Sequence, residues 1–208
     1  MLQHNENVVS IVASLVETIV KQHNQNTLIT EIVREIRRID IKELSKDASA
    51  PRAISAFVIE LCERCTDQIM QTSSDLLMFL DEDSYLMRNA ILNILGQLIV
   101  KKLSGNQMTT EERERRDEFL DLLQDHIFDN TGWTRSSALK EWTKICIANA
   151  IPITRQENLL KIVVGRLRDK SCYVRKAAVQ FLTQFLLHNP FGAKFPMTIL
   201  DQSLKAEN

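Results

Sequence analysis

The sequence predicts an all-α fold of stacked helical hairpins, and three observations lead there. Only five glycines and four prolines occur in 208 residues. That is too few for the many tight turns of an all-β chain, and no run of strand-like alternation lies between turn signals. An acidic residue is followed six positions later by an arginine three times: Glu82 and Arg88, Asp129 and Arg135, Asp169 and Arg175. After each arginine the same apolar stripe recurs. At −1, +2, +3, +6, +7, +10 and +11 it reads Met87, Ala90, Ile91, Ile94, Leu95, Leu98, Ile99 in the first copy and Val174, Ala177, Ala178, Phe181, Leu182, Phe185, Leu186 in the third. The second copy keeps the register more loosely, with Thr134, Ser137, Ala138, Glu141, Trp142, Ile145 and Cys146. The arginines are 47 and 40 positions apart, the period of a right-handed helical-hairpin solenoid of the HEAT or armadillo kind. Such a solenoid offers an extended surface to partners.

Each element has its own local cause. A first helix over about 5–22 carries Val8, Ile11, Val12, Leu15, Val16 and Ile19 at helical spacing. A second, over 26–39, carries Ile29, Ile32, Val33 and Ile36. A polar link, Asp40 to Ala50, leads to Pro51 near the start of a third helix with Ile54, Phe57, Val58, Leu61 and Cys65. A fourth, over 67–80, ends in the acidic turn Asp81, Glu82, Asp83 before the first arginine helix. After a link holding Gly105, Thr109 and Glu112 form a capping box for a helix that buries Phe119, Leu122, Leu123, His126 and Ile127. Pro152 then breaks the chain, and Thr154 with Glu157 caps a helix containing Leu159, Leu160, Val163 and Leu167. The third arginine helix ends at Asn189 and Pro190. The expected organisation is one HEAT-repeat segment over 1–208 with about nine or ten helices. Its repeats fall near 5–39, 50–65, 67–103, 110–149 and 154–189, and 190–208 forms a tail. Neither end carries a polar cap, so a longer solenoid is expected to continue beyond both.

Composition bounds the function. A 44% hydrophobic, 6% aromatic chain suits helices packed through Leu, Ile, Val and Ala. No uncharged apolar stretch of eighteen residues and no basic-then-apolar leader occur, so a soluble intracellular protein is expected, with no membrane partner. Net charge is −1, but it divides unevenly. Residues 1–130 hold 14 basic against 22 acidic residues, a net −8, whereas 131–208 hold 12 against 5, a net +7. The split suits a C-terminal half that meets something acidic, or an uneven draw of charges on solvated faces.

The acid and arginine pair also has two readings. The acid in the turn before each arginine helix accepts backbone N–H groups, while the arginine reaches the neighbouring repeat's acid, so the pairs form a structural ladder. A row of phosphate-binding arginines is the alternative, but such a row would not require an acid beside every arginine. The ridge opposite the stripe tells more. At +1, +5 and +9 it reads Asn89, Asn93, Gln97, then Ser136, Lys140, Lys144, then Lys176, Gln180, Gln184, without one acid. Asn93, Gln97, Lys101, Lys140, Lys144, Lys176, Gln180 and Gln184 are therefore the candidate partner or DNA contacts. Ordinary solvated polar residues would look the same.

Signals for chemistry are weak. Cys62 and Cys65 form a C-x-x-C pair inside a predicted helix with no second pair at zinc spacing, and Cys146 and Cys172 stand singly. Core or surface thiols are the reading, against a zinc or thioredoxin-like site. His126 reads as a core histidine. No glycine-rich phosphate loop, H-E-x-x-H or G-x-S-x-G occurs, and the acidic clusters are explained by caps and turns. No enzyme, cofactor or small-molecule substrate is expected.

Several stretches carry a resemblance. Ser84 to Ile91 (SYLMRNAI), Val164 to Val174 (VGRLRDKSCYV), Arg175 to Ala178 (RKAA) and His188 to Phe191 (HNPF) resemble the central HEAT repeats of the non-SMC HEAT-repeat subunit family of condensin I. Thr30 to Ile36 (TEIVREI) and Ala56 to Arg64 (AFVIELCER) are similar to the same region, and the likeness covers about 24–195. The second repeat departs from the pattern at Gly132, Thr134 and Glu141. Members of that family are far longer than this chain. The resemblance implies a scaffold in mitotic chromosome condensation, joined to the SMC subunits through the kleisin subunit and contacting chromatin DNA. It further implies a nuclear and chromosomal location with a cytoplasmic pool, and ATPase residues supplied by the SMC partners. A HEAT adaptor of the nuclear-transport or phosphatase-scaffold type, without DNA binding, would share the fold.

Overall fold

The computed structural model describes residues 6–23, 27–39, 49–105 and 107–188. Among these there are no strands and nine α-helices: α1 (Glu6–His23), α2 (Thr27–Arg38), α3 (Ser49–Arg64), α4 (Thr66–Leu77), α5 (Tyr85–Lys102), α6 (Thr110–Asp125), α7 (Gly132–Ile147), α8 (Ile153–Gly165) and α9 (Cys172–Leu187). None is long and apolar enough to cross a membrane. A single 3-10 turn closes α4, α6 and α8, at Met78–Leu80, His126–Phe128 and Arg166–Arg168. It tightens the last turn just before each acid and arginine pair. The helices fall into two compact units, Met1–Lys101 and Lys102–Asn208. The Asp40 link and the 190–208 tail lie outside the described residues, apart from the end of the link.

In the first unit α1 packs on α3 and α2 on α4. Next to α3 lies α5, where Ser55 Oγ is 3.4 Å from Met87 Sδ and Lys101 Nζ donates to the Glu63 carbonyl at 3.3 Å. Helices α1, α3 and α5 thus share one layer and α2 and α4 the other. Arginines tie neighbours within each layer. Arg64 of α3 pairs with Glu17 of α1 at 3.1 Å and with Glu60 at 2.8 Å, and Arg37 of α2 pairs with Asp75 of α4.

The buried side of α1 differs from the expected stripe. Val9, Ala13, Val16 and Val20 are buried, whereas Ile11 and Leu15 are 66% and 58% exposed. Apolar residues surround this helix, so its own pattern selects no unique face, and contact with α3 chooses one. Helix α3 begins at Ser49, which places Pro51 in the first turn, where its missing N–H leaves no bond unmade. Cys65 alone separates α3 from α4.

In the second unit α7 packs along α9, and Arg155 of α8 pairs with Asp121 of α6. The Thr109 capping box is present: Glu112 N donates to Thr109 Oγ1 at 3.2 Å, and Thr109 N donates to Glu112 Oε2 at 2.8 Å. The cap expected from Thr154 and Glu157 is not. Helix α8 starts at Ile153 directly after Pro152, whose φ of −58° and ψ of 137° turn the chain into the helix without a side-chain cap. Thr154 therefore sits inside the first turn, and Glu157 pairs with Lys161 at 2.7 Å. Helix α7 ends on Asn149 at φ 53°, with Asn149 N donating to the Cys146 carbonyl at 2.9 Å and Ala150 N to the Ile145 carbonyl at 3.0 Å. This left-handed closure suits asparagine. Glu141, which interrupts the predicted stripe, is buried; its Oε1 accepts from Lys144 Nζ at 2.9 Å, and Trp142 beside it is fully buried.

Candidate partner-binding surface

The turns before α7 and α9 are built alike. Asp129 accepts from Thr131 N at 2.7 Å and Asp169 from Ser171 N at 2.9 Å, so each carboxylate holds the backbone entering its helix. Each arginine then folds back onto its own turn. Arg135 Nη1 donates to the carbonyls of Asp129 (2.7 Å) and Asn130 (3.1 Å), Arg175 Nη1 to those of Asp169 (2.8 Å) and Lys170 (3.2 Å), and Arg88 Nη1 to that of Glu82. Arg135 also reaches forward: its Nε and Nη2 meet the Asp169 carboxylate at 2.9 and 2.8 Å. Burial would raise the pKa of Asp169, but hydrogen bonds from Arg135 and Ser171 N, with Arg166 nearby, outweigh it and hold the carboxyl below the ordinary aspartate value. Arg135 and Arg88 are buried, whereas Arg175 is exposed. With donors from Nε, Nη1 and Nη2 engaged, Arg135 is poorly placed to meet a phosphate.

The candidate contact residues fall in both units. In the first, Asn93 and Gln97 are half-buried and Lys101 is exposed. Gln97 Nε2 donates to Asn93 Oδ1 at 2.8 Å and Lys101 Nζ to Gln97 Oε1 at 3.3 Å, so the three form a row along α5. In the second unit Lys140, Lys144, Lys176 and Gln180 are exposed, and Gln184 is half-buried with its carbonyl 2.9 Å from His188 Nδ1. The +1 position departs from the expected exposed ridge. Ser136 is buried, its Oγ donating to the Tyr173 carbonyl at 3.3 Å, because on α7 that position faces α9. The outward side of α7 instead runs through Trp133, Ser137, Lys140, Lys144 and Ile147.

Two aromatic residues that sequence reasoning passed over lie on this surface. Trp133 and Tyr173 stand two positions before Arg135 and Arg175, are 51% and 53% exposed, and stack with ring centroids 4.4 Å apart at 32°. Their shared register was the available signal. Together with Gly132, Arg135, Lys170 and Ser171 they line an open pocket of about 270 Å³. Gly132 is needed for the approach of the two turns: a Cβ there would stand 3.0 Å from Ser171 Cβ. The departure from the repeat pattern at Gly132 thus has a packing cause. In the second unit the Arg166 guanidinium also lies 4.8 Å over the Phe128 ring.

Cys62, Cys65 and Cys146 are free, buried thiols, and Cys172 is free and exposed. Burial pushes Cys62 up to about 12 and Cys146 up to about 11, and raises Cys65 as well, so these thiols stay protonated at neutral pH. His126 is half-buried, with Nδ1 2.8 Å from the Leu122 carbonyl. Among the described residues no group of three metal-ligating side chains converges.

No family model matches the chain. Curated relatives do. The chain is 37% identical over 207 residues to "Condensin complex subunit 1" of Xenopus laevis and 38% identical over 207 residues to the human protein of that name, covering all of this chain and 15% of each relative. "Condensin-1 complex subunit CAP-D2" of Arabidopsis thaliana is 29% identical over 198 residues, covering 93% of this chain and 14% of that protein. The chain spans about one-seventh of the length of these relatives. From end to end, it is homologous to one segment of the condensin complex subunit 1 family.

Proposed function

We propose that this chain is a non-catalytic HEAT-repeat scaffold segment of the condensin complex, acting in mitotic chromosome condensation in the nucleus and on chromosomes. Its partners are the kleisin subunit, through it the SMC subunits, and chromatin DNA. Whole-chain homology to proteins named condensin complex subunit 1 is the observation that carries this reading. The contact surface we assign is the outward side of α7 and α9, where Lys140, Lys144 and Lys176 are exposed and Glu141, the acid closest in sequence, is buried. A stacked-helix scaffold suits this role because its buried core fixes the spacing of surface positions while leaving them free to vary.

The test is capture of the condensin kleisin subunit by the purified chain, run beside a salt series of duplex-DNA binding. The K140E/K144E/K176E variant should lose capture, DNA binding or both. DNA affinity should fall log-linearly with salt, with a slope reduced by roughly one for each phosphate-contacting lysine removed. Unchanged affinities in the triple variant would remove these lysines from the contact surface. Capture without DNA binding would leave a protein-interaction adaptor.

A further inference from the structure

We infer that the stacked Trp133 and Tyr173 rings and the pocket they line form a docking site for an acidic linear peptide segment that anchors one large apolar side chain. This rests on the reading that the outward side of α7 and α9 is the contact surface.

Charge names the partner's sign. From Asn130 to Lys140 and from Lys170 to His188 the sequence holds no acidic residue. Of the acids that flank these stretches, Asp169 is held by Arg135 and Ser171 N, and Glu141 is buried beside Lys144. Asp129 spends a carboxylate oxygen on Thr131 N. Lys170 lines the pocket and is exposed, and Lys176 stands exposed three positions beyond Tyr173 on α9. The rim is therefore cationic with its nearest carboxylates already engaged.

Shape names the anchor. Trp133 and Tyr173 are half-exposed and stacked on each other, so they form one contiguous apolar patch rather than two scattered rings. Their mutual stacking closes them into one apolar shelf and leaves no slot between the rings for a base. The pocket of about 270 Å³ is bordered by Gly132 and Ser171, where the two turns approach so closely that a Cβ on residue 132 would stand 3.0 Å from Ser171 Cβ. An open pocket of that size has room for one large apolar side chain such as Leu, Phe or Trp. Arg135, one of the lining residues, is occupied by Asp169 and so is poorly placed to hold a phosphate. Nucleic acid would use lysines and open ring faces; an acidic peptide with an apolar anchor uses the lysines, the shelf and the pocket together.

Trp133 reports the event directly, since the other tryptophan, Trp142, is fully buried. The probes are three synthetic 15-residue peptides rich in Asp and Glu with a central Leu, Phe or Trp, a fourth with Ala in that place, a Lys-rich Phe peptide and a duplex DNA. Binding to the full chain is followed by Trp emission, and by anisotropy of labelled probe for the Trp-containing peptide. At least one anchored acidic peptide should bind with a blue shift of Trp133. The Ala peptide should bind roughly tenfold or more weakly. K170E should weaken binding, and W133A/Y173A, both at exposed positions and checked for unchanged helicity by circular dichroism, should abolish it. Equal binding of the Ala and anchored peptides, no binding of any anchored acidic peptide, or binding unaffected by W133A/Y173A overturns the inference. So does DNA that binds in place of the peptides and depends on Trp133. Failure of kleisin capture with peptide binding intact would sink the wider functional reading and leave this site standing. Capture that survives W133A/Y173A while the peptides do not bind would do the reverse.

Discussion

Arg135 and Asp169, 34 positions apart, meet through two parallel hydrogen bonds of 2.9 and 2.8 Å with only 6% and 4% of their side chains exposed. One side chain thus fixes three things: the turn before its own helix, the turn before the next, and the offset between α7 and α9. The fork shape of guanidinium makes this possible, since separate nitrogens serve the carboxylate and the two carbonyls.

Removing both partners should cost less than the two separate removals added together. R135A leaves a buried carboxylate with only Ser171 N and Arg166 as donors and should destabilise the chain by about 3–5 kcal/mol, whereas R135A/D169N should cost less than the sum of its singles. R135K should fall between, because an ammonium does not reproduce the paired geometry. Urea denaturation midpoints of the four variants measure the coupling, and additive losses would show that the pair contributes no cooperative energy.

Acid should release the same tie. A carboxyl held below its ordinary value contributes stability that is fully present above the unfolded-state pKa of about 3.9 and disappears as the pH falls through the folded value. The stability gap between the native chain and D169N should therefore be widest near neutrality and shrink below about pH 4. Denaturation midpoints from pH 7 to pH 2.5 read this directly. A gap that stays constant over that range would mean that Asp169 keeps an ordinary pKa.

Gly132 should tolerate no bulk. A Cβ would approach Ser171 Cβ, which is fixed to backbone, to 3.0 Å, so G132V should push the two turns apart and cost about 1–3 kcal/mol. S171G, which removes the atoms in the way, should recover part of the loss. Thermal unfolding of the single and double variants checks the order, and a G132V chain as stable as the native one would show that the turns are not in forced contact.

Much of this protein was legible along the chain. The repeated stripe identified α5, α7 and α9 because a helix with neighbours on several sides must place apolar residues at fixed intervals; the burial of Met87, Ile91, Val174 and Phe181 follows it, whereas Leu186, its last position in α9, is 52% exposed. The Thr109 and Glu112 box was readable because both partners lie within one turn. Residues whose state depends on a distant neighbour were not. The buried side of α1 is chosen by α3, Thr154 lost its capping role to the fixed geometry of Pro152, and Ser136 is covered because α9 lies against it. The sequence by itself determined the helical class and the likeness to condensin complex subunit 1, since the first rests on local spacing and the second on identity to relatives. The acid and arginine spacing led to the expectation that an arginine meets the next repeat's acid, as Arg135 does with Asp169, but tertiary structure alone decided that Trp133 meets Tyr173, because a pair separated by 40 positions exists only once two turns are brought side by side.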